Sequence, residues 1–260
     1  MKKIHPTAII TKEVEIGEDV EIGPYAIIEG NVKIGNNCKI GPFVHIQGYT
    51  EIGENTKIFT GAVIGSIPQD LKYKGEITYL KIGKNNIIRE FVTINPGTSK
   101  GEETKIGDNN LIMAYCHIAH NCVIQNNVII ANYAGLAGHV VVEDYAIIGG
   151  LSGVHQFCKI GKHSIIGGTS KVTMDILPYV VADGHPARPY GINVIGLKRR
   201  NFPKEKIEIL ENAYKIIFRS GLNTSEALRK LEQMNSCQEI QDIIEFIKSS
   251  ERGIARERNR

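Results

Sequence analysis

From Ile4 onward every sixth residue is aliphatic, and the run reaches Val172: Ile10, Ile16, Ile22, Ile28, Ile34, Ile40, Ile46, Ile52, Ile58 and Ile64 follow without a gap. Of the 29 positions on this phase 26 are aliphatic, the exceptions being Asp70, Glu76 and Lys100, so the period belongs to the fold and not to composition. Four places after each aliphatic residue stands a second small or branched one (Ala8, Val14, Val20, Ala26, Val32, Cys38), and glycine often follows directly, as at Gly17, Gly23, Gly35, Gly41 and Gly53. A period of six fits neither an α-helix nor a hairpin ladder. It fits a parallel β-helix, in which each hexapeptide supplies one short strand and one turn, glycine allows the tight corner, and aliphatic side chains stack inward from coil to coil.

The repeat resembles that of the hexapeptide-repeat acyltransferases, whose prism has three hexapeptides per coil and winds left-handed. The handedness comes from the resemblance, because the usual crossover rule favours the right hand. At 18 residues per coil, residues 4–172 make roughly nine coils about 4.8 Å apart. The implied fold is mainly β, a left-handed parallel β-helix followed by a C-terminal α-helical domain. Two stretches, 66–81 and 95–105, lose the pattern, contain Pro and Gly, and rejoin the original phase, so they read as loops leaving the prism. The first is read as a functional loop beside the plainer reading of a tolerated insertion.

Past Val172 the repeat fades through Pro178, Pro186 and Pro189, dividing the chain into a β-helix domain at 1–187 and a helical domain at 188–260. Pro203 suits a first helical turn; Ile207, Leu210, Ala213, Tyr214, Ile217 and Phe218 share a face, and Gly221 ends that helix. Thr224 is expected to cap a second helix carrying Ala227, Leu228 and Leu231, and a third lies around Ile240 to Ile247. The tail after Arg252 is expected to fray.

Residues 1–187 hold 16 Lys+Arg against 18 Asp+Glu, whereas 188–260 hold 15 against 10, so the C-terminal part is the basic end. A basic end favours acidic partners or is a solvated helical surface. No apolar run approaches the roughly 20 residues of a spanning helix, so no membrane span is expected. Lys2 and Lys3 precede no long apolar region, which argues against a signal peptide and leaves the cytoplasm as the default location.

Cys38, Cys116, Cys122 and Cys158 occupy the small inward slot and read as packing residues; Cys237, in the helical part, has no partner pattern. The histidines lie off the aliphatic phase. Winding at 18 per coil puts His120, Gly138 and Gln156 in one column, with His139 and His155 one residue to either side and His117 half a hexapeptide before His120. Four imidazoles are therefore expected on one edge across three coils. Neutral histidines could bind zinc, as in trimeric hexapeptide proteins with carbonic anhydrase activity, or one could be a general base while the others steer substrate. A structural or ice-binding β-helix needs regular rows of one residue type, and the outward positions here are irregular.

Several segments resemble the UDP-N-acetylglucosamine 3-O-acyltransferases, the first enzymes of lipid A synthesis: IHPTAII, IPQDLKYKGE, AYCHIAHNC, GLAGHV, GVHQFCKIG, GINVIGLKRRNF and NAYKIIFRSG. The likeness runs over nearly the whole chain. It implies transfer of an (R)-3-hydroxyacyl group from acyl carrier protein to the 3-position of UDP-N-acetylglucosamine, or its 3-amino analogue, by a homotrimer that needs no cofactor or metal and binds no nucleic acid. His120 is then the general base, and the Gly138 N–H stabilises the oxyanion. Asp70, with Gln69 and Lys72, binds the glucosamine and pantetheine region, while His117, His139, His155 and Gln156 line the sugar and nucleotide pocket. Asn193 and Arg199 hold the nucleotide, Arg199 by its fork of donors on the diphosphate. Arg200 and the helical cap meet the acidic carrier protein, and Gly168 sets acyl length, its missing side chain implying a longer hydroxyacyl chain. The sequence departs from the family pattern at three places: Asn121 where better-known members carry Asp, Ile195 in place of an acidic residue, and Pro96 after Asn95 where His-Arg is frequent.

Overall fold

The computed structural model describes residues 2–234 and 237–257. The chain winds as a left-handed parallel β-helix with three faces. One sheet runs from Lys3–Ile4 to Ile165–Ile166, the second from Ile9–Ile10 to Lys171–Val172, and the third from Glu15–Ile16 to Lys159–Ile160. Most strands have two residues, one pointing out and one in, which is why the aliphatic period is six and not two. Ile28, Ile46, Ile64, Ile94, Ile118 and Leu136 are buried in one inward column, and the small-residue slot, including all four cysteines assigned to packing, is buried between such columns.

Neighbouring strands pair 18 residues apart, as Gly135 with His117 and Gly153 with Gly135. At the two loops the register changes to 30, Val63 pairing with Thr93, and to 24, Thr93 pairing with His117. The excursions are thus whole hexapeptides, which is why the phase survives them. They are shorter than expected, because Tyr79–Ile82 and Glu103–Ile106 already belong to the third sheet.

The corners depart from the expected use of glycine. Gly17, Gly23, Gly35, Gly41 and Gly53 do not hold the left-handed backbone conformation. It falls two residues later, on Asp19, Tyr25, Asn37, Phe43 and Asn55, with φ between 53° and 58°. The glycines are required by close approach between coils: a Cβ on Gly35 would lie 2.7 Å from Glu54 N, and one on Gly53 would lie 2.5 Å from Gly83 C. Asn and Asp tolerate positive φ better than most residues, and the aromatic corner residues stack, Tyr115 on Tyr133 at 4.8 Å and 3°.

Beyond the last coil, Val180–Gly184 and Ala187–Ile192 form an antiparallel hairpin on the first sheet. Its second strand crosses the 187/188 boundary drawn from sequence, and helix begins after Asn193. The helices are α1 (Val194–Arg199), α2 (Lys204–Phe218), α3 (Thr224–Glu232) and α4 (Gln238–Lys248). The short α1 adds to the three helices expected from sequence. Pro203 is the N-cap of α2 rather than its first-turn residue, and α3 is capped by Asn223 in a capping box with Glu226, not by Thr224. Residues 253–257 are docked, not frayed: Ile254 and Ala255 are buried, the Ala255 N–H bonds to Asp175 O at 2.8 Å, and Arg256 reaches Ile217 O at 2.8 Å. Residues 258–260 lie outside the described residues. Asp242 of α4 joins cap to prism through the Tyr179 hydroxyl and Lys162 Nζ, the latter at 3.0 Å.

His163 sits at this joint, 9% exposed, stacked on Tyr145 and Tyr179, with its Nδ1 buried and unpartnered. Burial first, then the nearby Arg200 and Lys162, pushes its pKa down to about 4. An unfolded chain takes up this proton near 6.5 while the folded one refuses it until about 4, so stability is expected to fall as pH drops through that window and to stay flat above it. His163→Phe keeps the stack and removes the proton site; thermal midpoints between about pH 7 and 4.5 should fall less for this variant than for the parent. The corner argument predicts that Gly35→Ala lowers stability by about 1–3 kcal/mol, as overpacking does. Asn37→Gly, where glycine suits the backbone, should change it by less than about 1 kcal/mol, both measured by denaturant unfolding.

Candidate active site

Both loops leave the prism at one corner, between the second and third sheets, on the two coils that precede the coil of His120. The first loop therefore folds along the edge on which the histidines stack. Asn95 ties the loops together at their roots, its Nδ2 donating to Ser66 O at 3.0 Å and Ile67 O at 3.3 Å. Asp70 holds the first loop's own turn by accepting from the Lys72 N–H at 2.9 Å.

Between loop and prism runs a groove of about 890 Å³ lined by Gln69, Asp70, Leu71, Lys72, Asn95, His117, Ala119, His120, Gly135, Gly138, His155 and Gln156, among others. His120 and Gly138 are in contact across one coil. A Cβ on Gly138 would lie 2.4 Å from His120 Cε1 and 2.5 Å from its Nε2, so the imidazole rests on the bare Cα. The Gly138 carbonyl accepts from Phe157 N at 3.1 Å, and among the described residues no hydrogen bond engages the Gly138 N–H.

Nδ1 of His120 lies 2.9 Å from Asn121 Oδ1. The Thr98 N–H, which can only donate, lies 3.2 Å from that same atom and identifies it as the amide oxygen. His120 Nδ1 therefore carries the proton, leaving the Nε2 lone pair toward Asp70, whose Oδ2 is 3.8 Å away, beyond direct hydrogen-bond length.

His117 also faces the groove, its Nδ1 held by the Thr93 hydroxyl at 2.7 Å; burial, then the His120 charge, lowers its pKa from the ordinary value. His155 and Gln156 are exposed at the far side. His139 does not line the groove. It stands at the corner behind, 4.6 Å from Phe157 in a stack and 5.2 Å from His120 edge to face, and burial, then His120, lowers its pKa. Among the described residues no group of three or more His, Cys, Asp or Glu could hold a metal ion.

The remaining predicted residues lie on other corners of the same chain. Asn193 is 2% exposed and engaged as the N-cap of α1, bonding Gly196 N and His163 O. Arg199 is exposed on α1, and Arg200 lies over the Tyr145 ring at 5.1 Å. Gly168 occupies the corner between the first and second sheets, where a Cβ would meet only Gly150 O at 3.4 Å. Sequence reasoning missed Thr93, Asn95, Thr98 and Glu102. The available signal was the loop length: read as whole hexapeptides, the loops place Ile64, Ile94 and Ile118 in one column and both loops beside His120.

Comparison with known proteins agrees over the full length. A family model described as UDP N-acetylglucosamine O-acyltransferase, domain 2, matches residues 175–255, and the bacterial transferase hexapeptide model matches 31–66 and 103–138. The acyl-(acyl carrier protein)–UDP-N-acetylglucosamine O-acyltransferase of Aquifex aeolicus is 65% identical over 257 residues, 98% of each chain, and that of Thermodesulfovibrio yellowstonii is 52% identical over 98% of this chain and all of its own. The UDP-N-acetylglucosamine acyltransferase structures from Francisella novicida and Bacteroides fragilis superpose with TM-scores of 0.96 and 0.95, at 39% and 48% identity. They cover 98% and 97% of this chain and 95% and 100% of theirs. Matched over nearly its whole length by these relatives and structures, the chain is an acyltransferase and belongs to the UDP-N-acetylglucosamine O-acyltransferase family of lipid A biosynthesis.

Proposed function

We propose that the chain transfers an (R)-3-hydroxyacyl group from acyl carrier protein to the 3-hydroxyl of UDP-N-acetylglucosamine, with His120 as general base. The observation that carries this reading is His120 Nε2 lying against the bare Cα of Gly138 inside the groove, with Nδ1 turned to the Asn121 oxygen. Nε2 takes the proton as the sugar oxygen attacks the thioester carbonyl, and a tetrahedral oxyanion forms against the Gly138 N–H. Collapse breaks the C–S bond, and the imidazolium returns the proton to the leaving thiolate. No covalent enzyme intermediate is needed.

Asp70, Gln69 and Lys72 close over the acceptor from the loop, and His117, His155 and Gln156 shape the sugar side. His139 supports His120 from behind. Asn193, Arg199, Arg200 and Gly168 cannot reach this groove within one chain, since they stand on the other two corners. A homotrimer, in which one protomer's corner faces another's, brings nucleotide, carrier-protein and acyl-length residues to the shared site. The exposed Ile67 and Leu71 on the first loop supply apolar surface for such a contact.

Purified protein incubated with 3-hydroxyacyl carrier proteins of several lengths and either UDP-N-acetylglucosamine or its 3-amino analogue should give a mass-shifted sugar nucleotide; no transfer to either acceptor rejects the reading. His120→Ala should lower kcat by about 10² to 10⁴, the contribution of a general base, and a full rate in that variant rejects the mechanism. Gly168→Met, at a site whose backbone tolerates a side chain, should move the preference to shorter acyl chains in a competition assay while the acceptor KM stays unchanged.

A further inference from the structure

The second loop, 95–102, is a whole-hexapeptide excursion on the coil preceding that of His120. Its side chains converge on Asn121. Glu102 Oε2 lies 2.8 Å from Asn121 Nδ2 and 2.9 Å from the Ser99 N–H, while Thr98 donates to Asn121 Oδ1 from its N–H at 3.2 Å and its hydroxyl at 3.1 Å. The Asn121 backbone is itself anchored, its N–H bonding Thr104 Oγ1 at 2.8 Å. Bonds from Ser99 and Asn121 hold the Glu102 carboxyl below the ordinary carboxylate range, so it is an anion that can only accept.

These contacts determine the amide's orientation from both ends. A carboxylate that only accepts must face Nδ2, and a backbone N–H that only donates must face Oδ1. The oxygen so directed is the one 2.9 Å from His120 Nδ1. We propose that Glu102 is a positioning residue for the general base: acting through the Asn121 amide, its carboxylate locks His120 in the tautomer that leaves Nε2 unprotonated. The negative charge that an aspartate in place of Asn121 would set beside the imidazole thus sits one residue farther out. It polarises the amide and stabilises the imidazolium formed during transfer. The inference rests on reading His120 as the base, and it assigns the second loop a function.

The arrangement carries a reversal that simple loop bracing does not. Glu102→Ala should lower kcat about 10- to 100-fold, as loss of an outer orienting partner does, with the KM for UDP-N-acetylglucosamine within about two-fold of the parent. Asn121→Asp alone should also be impaired, because its carboxylate would face that of Glu102 at hydrogen-bond distance. The double variant, Glu102→Ala with Asn121→Asp, has a carboxylate that accepts directly from His120 and none opposing it, and it should recover to within a few-fold of the parent. An unchanged kcat in Glu102→Ala, or a double variant no better than the worse single, overturns the proposal. Long-range ¹H–¹⁵N spectra of the unmodified protein give a readout independent of turnover: a protonated Nδ1 on His120 supports the chain of bonds and a protonated Nε2 refutes it. Absence of acyl transfer by the parent protein, or full activity in His120→Ala, would instead sink the underlying reading while the tautomer result stands on its own.

Discussion

The structure depends on the backbone ladder that pairs each two-residue strand with the one a coil away. Because every strand contributes one inward aliphatic residue, a slip of one residue would turn that whole column to solvent. Departures from 18 residues per coil are therefore allowed only where the chain leaves and re-enters at the same phase. Both loops obey this, with registers of 30 and 24. Both excursions leave at the same corner, between the second and third sheets.

The site follows from that placement. His120 belongs to an ordinary coil, and nothing in its own hexapeptide distinguishes it mechanically from its neighbours. It becomes a candidate base because the first loop lays Asp70 over it, the next coil presents the bare Cα of Gly138 beneath its ring, and the second loop fixes Asn121 at its back. A rigid prism supplies the spacing and the loops supply the chemistry, the usual division of labour between scaffold and loop.

The helical cap closes an end of the prism that would otherwise expose a row of unpaired strand groups. Its attachment is polar at the seam, through Asp242 with Tyr179 and Lys162 and through Asp175 with Ser250, and apolar within, through Ile240, Ile243, Phe246 and Leu231. Within the cap Lys206 pairs with Glu239 and Arg219 with Glu257; both partners of each pair lie in the C-terminal part, so these pairs leave its basic surplus unchanged.

By itself the sequence determined the β-helix, the inward slots, the burial of four cysteines and the column of His120, Gly138 and Gln156, because a period of six is a local constraint repeated at every coil and needs no knowledge of distant contacts. Residues with the same local pattern could not be told apart by such reasoning. The left-handed corners went to Asp, Asn, Tyr and Phe rather than to the conspicuous glycines, since what the glycines avoid is a backbone one coil away. Spacing groups His139 with His117 and His155, yet the fold turns it behind the corner onto Phe157. Glu102, in a stretch without pattern, was invisible as a partner of Asn121. Which carboxylate meets which amide is decided by where a loop returns in space, and that is a property of tertiary structure alone.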